Sequence, residues 1–445
     1  MTEFEWTLHP QAEALVDRLV ADAIAKSPVL STFSRRLAAE TSTRLQDWLD
    51  TVAGPVTIDE LFAVGYRSTE HPNLWRHPGA QLPALIPADH YELGLRTDDV
   101  ATFAALHGRV RGIEGSALSG YRRVLISQEN AVRIIGIERR SWAAGHTPQR
   151  FSSAQSAKAE QAWQLLADRP RQLDGASGVG AQLASAREAV RLVGPDLAAS
   201  YFLQQERQYW QARNAAGAAQ HARQDALGLG WGNNDHHTFR SSRSAFGALM
   251  EFLTALGFGM RERFYAGAEA GWGAQVIEHP GCGGVIFADV DLRPDEVELD
   301  FAHSELADQV AGSSLGTVGM WCALHGESLL GAGMHHLEGQ FSFEQLTSSL
   351  ADLGHSSMRP FSDFDHLRQA FTEAEWWSVP QDRLAALVAN GELTADRAGE
   401  ISMSGAAGSH LENLARRGGF KGFNQQNVSV TMAATHPRDY RRQAG

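Results

Sequence analysis

The residues of this chain best suited to chemistry are two histidine pairs, His236-His237 and His335-His336, and a late pair, His410 with Glu412. Successive side chains of a β-strand point to opposite faces, so alternation decides which of them can act together. In Asp235-His236-His237-Thr238-Phe239-Arg240, the residues His236, Thr238 and Arg240 share one face, and His237 and Phe239 the other. In Met334-His335-His336-Leu337-Glu338-Gly339-Gln340, His336, Glu338 and Gln340 share a face, with His335, Leu337 and Phe341 opposite. His410 and Glu412 lie on one side of a third short strand, and Leu411 on the other. Two imidazoles and one carboxylate on strands of one sheet make the facial triad by which non-haem enzymes hold Fe(II) with coordination positions left open. Glu400, which also precedes a strand-like segment, is the rival carboxylate. Arg240, on the metal-facing side, is suited to grip an anion bidentately. Its plainer reading is a surface ion pair with Asp235 or Glu262, an interaction worth little. Thr238 and Asn424 are candidate substrate contacts, and Gln340 joins Arg240 as a candidate catalytic group.

Stepping outward, these residues need strands, and the pattern supplies them from residue 231 onward. Asp235 to Ser241 reads as a strand, Ser244 to Leu256 as an amphipathic helix with Phe246, Leu249, Leu253 and Leu256 inward. Met260 to Tyr265, Gly273 to Glu278 and Val285 to Val290 read as further strands, giving a βαβββ module. A second start at Gly333, followed by a helical stretch from Phe343, repeats the order and predicts a tandem pair. An insertion near residues 364–398, carrying Trp376-Trp377, interrupts the second module as a lid or a packed helical excursion. The shift to Gly and Asn at Gly228-Leu-Gly-Trp-Gly-Asn-Asn places the main boundary near residue 230. Residues 1–230 read as a largely helical region, with a small βαββ piece at 86–139 whose Asp89-His90 start faintly echoes Asp235-His236. The predicted class is α+β.

Composition narrows the functions. The chain has 445 residues, 43% hydrophobic and 20% charged, enough for one large core or two ordinary ones. A net charge of −13 repels phosphate backbones and anionic lipid, so neither nucleic acid nor a membrane is expected as a partner. Cys282 and Cys322 form no CxxC spacing, which argues against a disulfide framework and for a reducing, cytoplasmic setting. No apolar run approaches the roughly 18 to 20 residues of a membrane span, and the first residues carry no export signal. The glycines of Gly175-Ala-Ser-Gly-Val-Gly-Ala follow no buried strand and read as a loop. Gly326-Glu-Ser328 lacks the final glycine of a nucleophile elbow.

The Asp235–Arg240 start, with its helix ending in Leu256-Gly257-Phe258, resembles the DHxxFR opening of the 2-oxoadipate dioxygenase/decarboxylase family. The end, from His410-Leu-Glu-Asn to Gly-Phe-Lys-Gly-Phe-Asn424, resembles the terminal glutamate strand and GFGxGN-type segment of the 4-hydroxyphenylpyruvate dioxygenases. Gly333-Met-His-His336 is similar to the second ligand strand of that family. Both belong to the vicinal oxygen chelate superfamily, whose ligands come from paired βαβββ modules, and the resemblance covers about residues 231 to 430. It implies His236, His336 and Glu412 as ligands of Fe(II), or of another divalent metal, and Arg240 as the holder of a substrate carboxylate. It further implies oxidative decarboxylation of a 2-oxo acid with O2, in a chain free to form a homo-oligomer, with the helical N-terminal half covering the open face. Two other readings keep the residues: a glyoxalase-like isomerase or extradiol dioxygenase on the same fold, and a metal-free small-molecule-binding protein.

Overall fold

The computed structural model describes residues 6–109, 112–267, 270–307, 314–424 and 435–441. Two helices open the chain, α1 (Pro10–Lys26) and α2 (Pro28–Arg36), each with proline in its first turn, where the missing N–H costs nothing. Four βαβββ units follow. The first is β1 (Leu49–Gly54), α3 (Ile58–Ala63), β2 (Arg67–Ser68), β3 (Trp75–Arg76) and β4 (Ala84–Pro87). The second is β5 (Tyr91–Arg96), α4 (Val100–Leu106), β6 (Tyr121–Glu129) and β7 (Val132–Arg139), with a bridge between Glu114 and Arg123 standing for its missing strand. Five helices intervene: α5 (Ser153–Ala167), α6 (Gly175–Ala181), α7 (Leu183–Val193), α8 (Pro195–Gln211) and α9 (Ala215–Asp225). The third unit is β8 (Asn234–Arg240), α10 (Arg243–Ala255), β9 (Gly259–Tyr265), β10 (Trp272–Glu278) and β11 (Val285–Asp291). After α11 (Thr317–His325), the fourth comprises β12 (His336–Gln340), α12 (Phe343–Asp352), β13 (Ser362–Phe364), β14 (Leu367–Phe371) and, far along the chain, β17 (His410–Arg416). Between β14 and β17 lies an excursion of β15 (Trp376–Trp377), α13 (Gln381–Ala389), α14 (Ala395–Ser404) and β16 (Ala406–Ala407), in which β15 pairs with β16.

The units pair into two sheets with the same logic. In each unit the first strand runs parallel to the last: β1 with β4, β5 with β7, β8 with β11 and β12 with β17. In each sheet the first strands of two units meet antiparallel at the centre, β1 against β5 and β8 against β12. The results are a seven-stranded sheet, β2-β3-β4-β1-β5-β7-β6, and an eight-stranded sheet, β13-β14-β17-β12-β8-β11-β10-β9. The βαββ piece expected at 86–139 is therefore half of a larger N-terminal sheet, which stands beside the helices rather than alone among them.

The two faces of the eight-stranded sheet have different tasks. Phe239, Ile286, Leu337 and Leu411 point to a helical layer in which Phe202 of α8 and Phe246, Leu249, Phe252 and Leu253 of α10 are buried. The other face carries the histidines and is closed by Trp321 and Val318 of α11 with Phe361, Phe371 and Phe423. The helical N-terminal half thus covers the face opposite the histidines, and α11 performs the closure expected of it. The glycine-rich stretch at 175–181, expected as a loop, is the helix α6, started by an Asp174 carboxylate that accepts from Gly175 N. Among the described residues no helix is long and apolar enough to cross a membrane.

Candidate metal centre

Register brings the histidines and the glutamate together. His336 pairs with Thr238 across the central antiparallel junction, and His336 and Glu338 pair with His410 and Glu412 across the parallel one. Residues two apart on these strands share the inner face, so His236, His336 and Glu412 converge from β8, β12 and β17. Their ligand atoms lie within 4.8 Å of one another, and all three residues are buried. One Glu412 oxygen stands 3.1 Å from His336 Nε2 and 3.7 Å from His236 Nε2. Two imidazoles and a carboxylate this close together are a donor set that a divalent ion can draw around itself.

Burial and the pairing of His336 with Glu412 act on these groups in opposite senses. Burial disfavours the charged form of His336 and holds the ring below its ordinary value, although Glu412 opposes the shift. Burial alone would raise Glu412, yet the hydrogen bond and charge of His336, with His236, keep its carboxylate below the usual range. A neutral imidazole and an ionised carboxylate are what a metal requires of its ligands.

The rear of each ligand is held. His236 turns Nδ1 to a Glu338 oxygen, leaving Nε2 for the centre. His336 Nδ1 lies 3.0 Å from His335 Nδ1, while on its ligand side Nε2 is 2.8 Å from the Thr238 hydroxyl, a contact a metal ion would displace. Gln369 on β14 donates through Nε2 to Glu338 at 3.2 Å and to Glu412 at 3.0 Å, tying the two carboxylates. Such contacts fix ring orientation and ligand basicity. His410 donates through Nδ1 to the Thr372 carbonyl at 2.8 Å and is driven down to about 4 by burial. His325 donates to the Ala407 carbonyl at 3.0 Å and falls to about 3 for the same reason. His335 sits at a bend before β12, not within it, and its ring lies beside His336 and His410 on the inner side, contrary to strand alternation. His237 lies on the outer face as alternation predicts, 3.4 Å from the Val285 carbonyl.

Arg240 is buried beside the centre, with its ring-facing side 5.7 Å from Trp321 and its nearest carboxylate, Asp289, 3.9 Å away. Its Nε has no hydrogen-bond partner among the described residues. Asp289 is pushed up to about 7 by burial, which Arg240 and His236 only partly counter. The alternative partner Glu262 is taken by Arg261 at 2.7 Å, and the side chain of Asp235 lies outside the described residues. Ser328, set aside as a nucleophile, accepts from the Arg240 backbone N–H at 2.9 Å and anchors the strand end. Aromatic rings wall the centre: Phe287 is 4.4 Å from His236, and Phe371 is 5.0 Å from His336.

Other expected site residues fall elsewhere. Gln340, at the far end of β12, lines a different cavity, and its carbonyl accepts from Asn233 Nδ2 at 2.7 Å. Asn424 is buried and donates to the Phe361 carbonyl at 2.9 Å, which seats the neighbouring Phe423 ring 4.6 Å from Phe287. Glu400 sits on α14, held by Arg397 at 2.7 Å and Arg441 at 2.8 Å, remote from the cluster. Glu338 and Gln369 were not singled out for a role. Glu338 shares the face of His336 in the sequence pattern, which is a signal; nothing local marks Gln369.

No family model and no curated protein matches the chain. Solved structures similar to it include a variant of 4-hydroxymandelate synthase from Streptomyces coelicolor, at 13% identity over 88% of this chain and 100% of that one, with a TM-score of 0.31. A variant methylmalonyl-CoA epimerase from the same organism is similar at 15% identity over 41% of this chain and 96% of its own, with a TM-score of 0.22. A xylose isomerase-like TIM barrel/4-hydroxyphenylpyruvate dioxygenase fusion protein is similar at 11% identity over 88% of this chain and 52% of its own, with a TM-score of 0.24. The chain's own architecture is an α+β fold of tandem βαβββ modules with a His, His, Glu cluster on its inner face.

Proposed function

We propose that this chain is a non-haem Fe(II)-dependent dioxygenase that oxidatively decarboxylates a 2-oxo acid or a related carboxylate. The observation that carries the reading is the buried convergence of His236, His336 and Glu412, in a donor set that suits Fe(II) and leaves coordination positions open. Bound there, Fe(II) supplies chelation of the 2-oxo acid and activation of O2. The chain's own residues supply the rest. Arg240, buried and short of hydrogen-bond acceptors, binds the substrate's carboxylate and fixes its pose, and the Thr238 hydroxyl, beside the ligand atom of His336, turns to the substrate. Glu338 holds the proton at His236 Nδ1 and keeps Nε2 directed inward. Phe287, Phe371 and Trp321 exclude water from the reacting groups. The two free cysteines suit a reducing, cytoplasmic setting.

Elemental analysis after anaerobic Fe(II) reconstitution tests this directly, with wild type beside His336→Ala and Glu412→Ala variants whose folding is checked by circular dichroism. The expectation is near one iron per chain in wild type and none in folded variants, then O2 uptake with a member of a 2-oxo acid panel. A wild type that takes up no metal overturns the dioxygenase reading and favours metal-free binding of a small molecule.

A further inference from the structure

The N-terminal sheet carries a second cluster, separate from the metal-ligand cluster and opposite in sign to the chain as a whole. A cavity of about 530 Å³ opens between the N-terminal sheet, helix α8 and the ends of β10, β11 and β12 in the eight-stranded sheet. Seven basic and four acidic side chains line it, in a protein of net charge −13. None of His236, His336 and Glu412 belongs to its wall.

The charge balance at its floor is the informative part. Asp50 is buried beneath the wall and receives Arg139 through Nε at 2.8 Å and Nη2 at 2.7 Å, and Arg96 through Nη2 at 3.0 Å. One carboxylate thus serves two guanidinium groups, and Arg96 Nε remains without a partner. Arg76 projects from β3 into the same space. It has no side-chain hydrogen bond among the described residues, and it lies 4.2 Å from the Trp142 ring, against which Arg139 also packs at 3.8 Å. Arg207 and Arg140 reach the cavity from other sides and also keep an unpartnered Nε each. The Arg76 guanidinium stands among the like charges of Arg139 and Arg96 and the opposite charges of Asp50 and Glu278.

Aligned guanidinium forks held in place by a buried carboxylate are preorganised for an anion with several oxygens, and the volume lies in the range of small-molecule sites at domain boundaries. We propose that this cavity binds a small dianion, with Arg76 and Arg96 as its principal grips and Trp142 as the surface that holds Arg76. Two sources share that chemistry, phosphate esters and dicarboxylates, and the probes separate them.

The test is calorimetric titration of the full chain with pyrophosphate and, separately, with succinate, at low and at high salt. Binding of one probe should weaken about tenfold in Arg76→Gln, the loss of one charge-assisted hydrogen bond, and less in Arg76→Lys. It should weaken with salt and persist in His336→Ala, which removes a ligand of the other site. The Arg76 side chain forms no hydrogen bond among the described residues, so Arg76→Gln is expected to keep its melting temperature, and a calorimetric scan verifies this. Equal affinity in wild type and Arg76→Gln, loss of binding in His336→Ala, or no heat with either probe up to millimolar concentration overturns the proposal.

Discussion

At the scale of single residues, the centre depends as much on what stands behind the ligands as on the ligands. Glu338 is fully buried and its partner is a ligand ring, so Glu338→Gln, which keeps shape and removes charge, should lower metal affinity by roughly 10- to 100-fold. A competition titration against a fluorescent chelator measures it, and unchanged affinity would remove Glu338 from the site's machinery. Arg240→Gln has a different signature. Iron content should hold while KM for a carboxylate substrate rises about tenfold or more, because the lost contact is to substrate and not to metal. The types and alternation of His236, His336 and Glu412 are readable in the chain itself. Glu338 is visible as a neighbour on the same face, but its task depends on β8 lying against β12, a long-range fact.

At the scale of elements, one strand divides two functions between its faces. On β12, His336 and Glu338 turn inward while Leu337, with no exposed surface, is packed in the helical layer. Leu337→Ala should therefore cost about 2–5 kcal/mol in urea unfolding through the cavity it leaves, and metal stoichiometry of the folded fraction should stay the same. His335 shows why alternation fails at strand ends: the chain bends before Leu337's strand begins, so two successive histidines point to one side. The helix α10 and its strands β9 to β11 follow clear periodicity. The first unit does not, because β2 and β3 have two residues each and a register shift interrupts β1 between Leu49 and Thr51. Strands that short carry no period to read.

At the scale of the whole molecule, one buried ion-pair cluster braces the N-terminal sheet and another braces the helical layer. Burial alone would raise Asp50, but Arg139 and Arg96 hold its carboxylate below the usual range, and Arg169 and Arg171 do the same for Glu206. Groups with depressed folded values stabilise the protein fully above their unfolded value of about 4, and that contribution fades as pH falls toward the folded value. The buried neutral histidines act higher in pH: His325 and His410, held at about 3 and about 4 against about 6.5 unfolded, cost stability as pH falls below about 6.5, so melting temperature should decline from about pH 6.5 and more steeply below about 4, where the paired carboxylates protonate. Asp50→Asn leaves two guanidinium groups facing each other and should cost about 3–5 kcal/mol at pH 7, with a smaller deficit in acid, as denaturant curves at the two pH values would show. A deficit that is the same at both would contradict the role of this carboxylate.

The sequence by itself determined the α+β class, the modular order of the C-terminal half, and the residue types able to hold a metal. Those follow from local periodicity and side-chain chemistry, which need no knowledge of distant partners. Tertiary structure alone decided the pairing of the N-terminal units and the positions of Gln369 and Gln340, and it set Glu412, the carboxylate the resemblance already favoured, beside the two histidines. It also gathered Arg76, Arg96 and Arg139, from three separate strands, around Asp50. Each of these depends on strand register between segments tens to hundreds of residues apart, where a shift of one residue would turn every side chain to the other face.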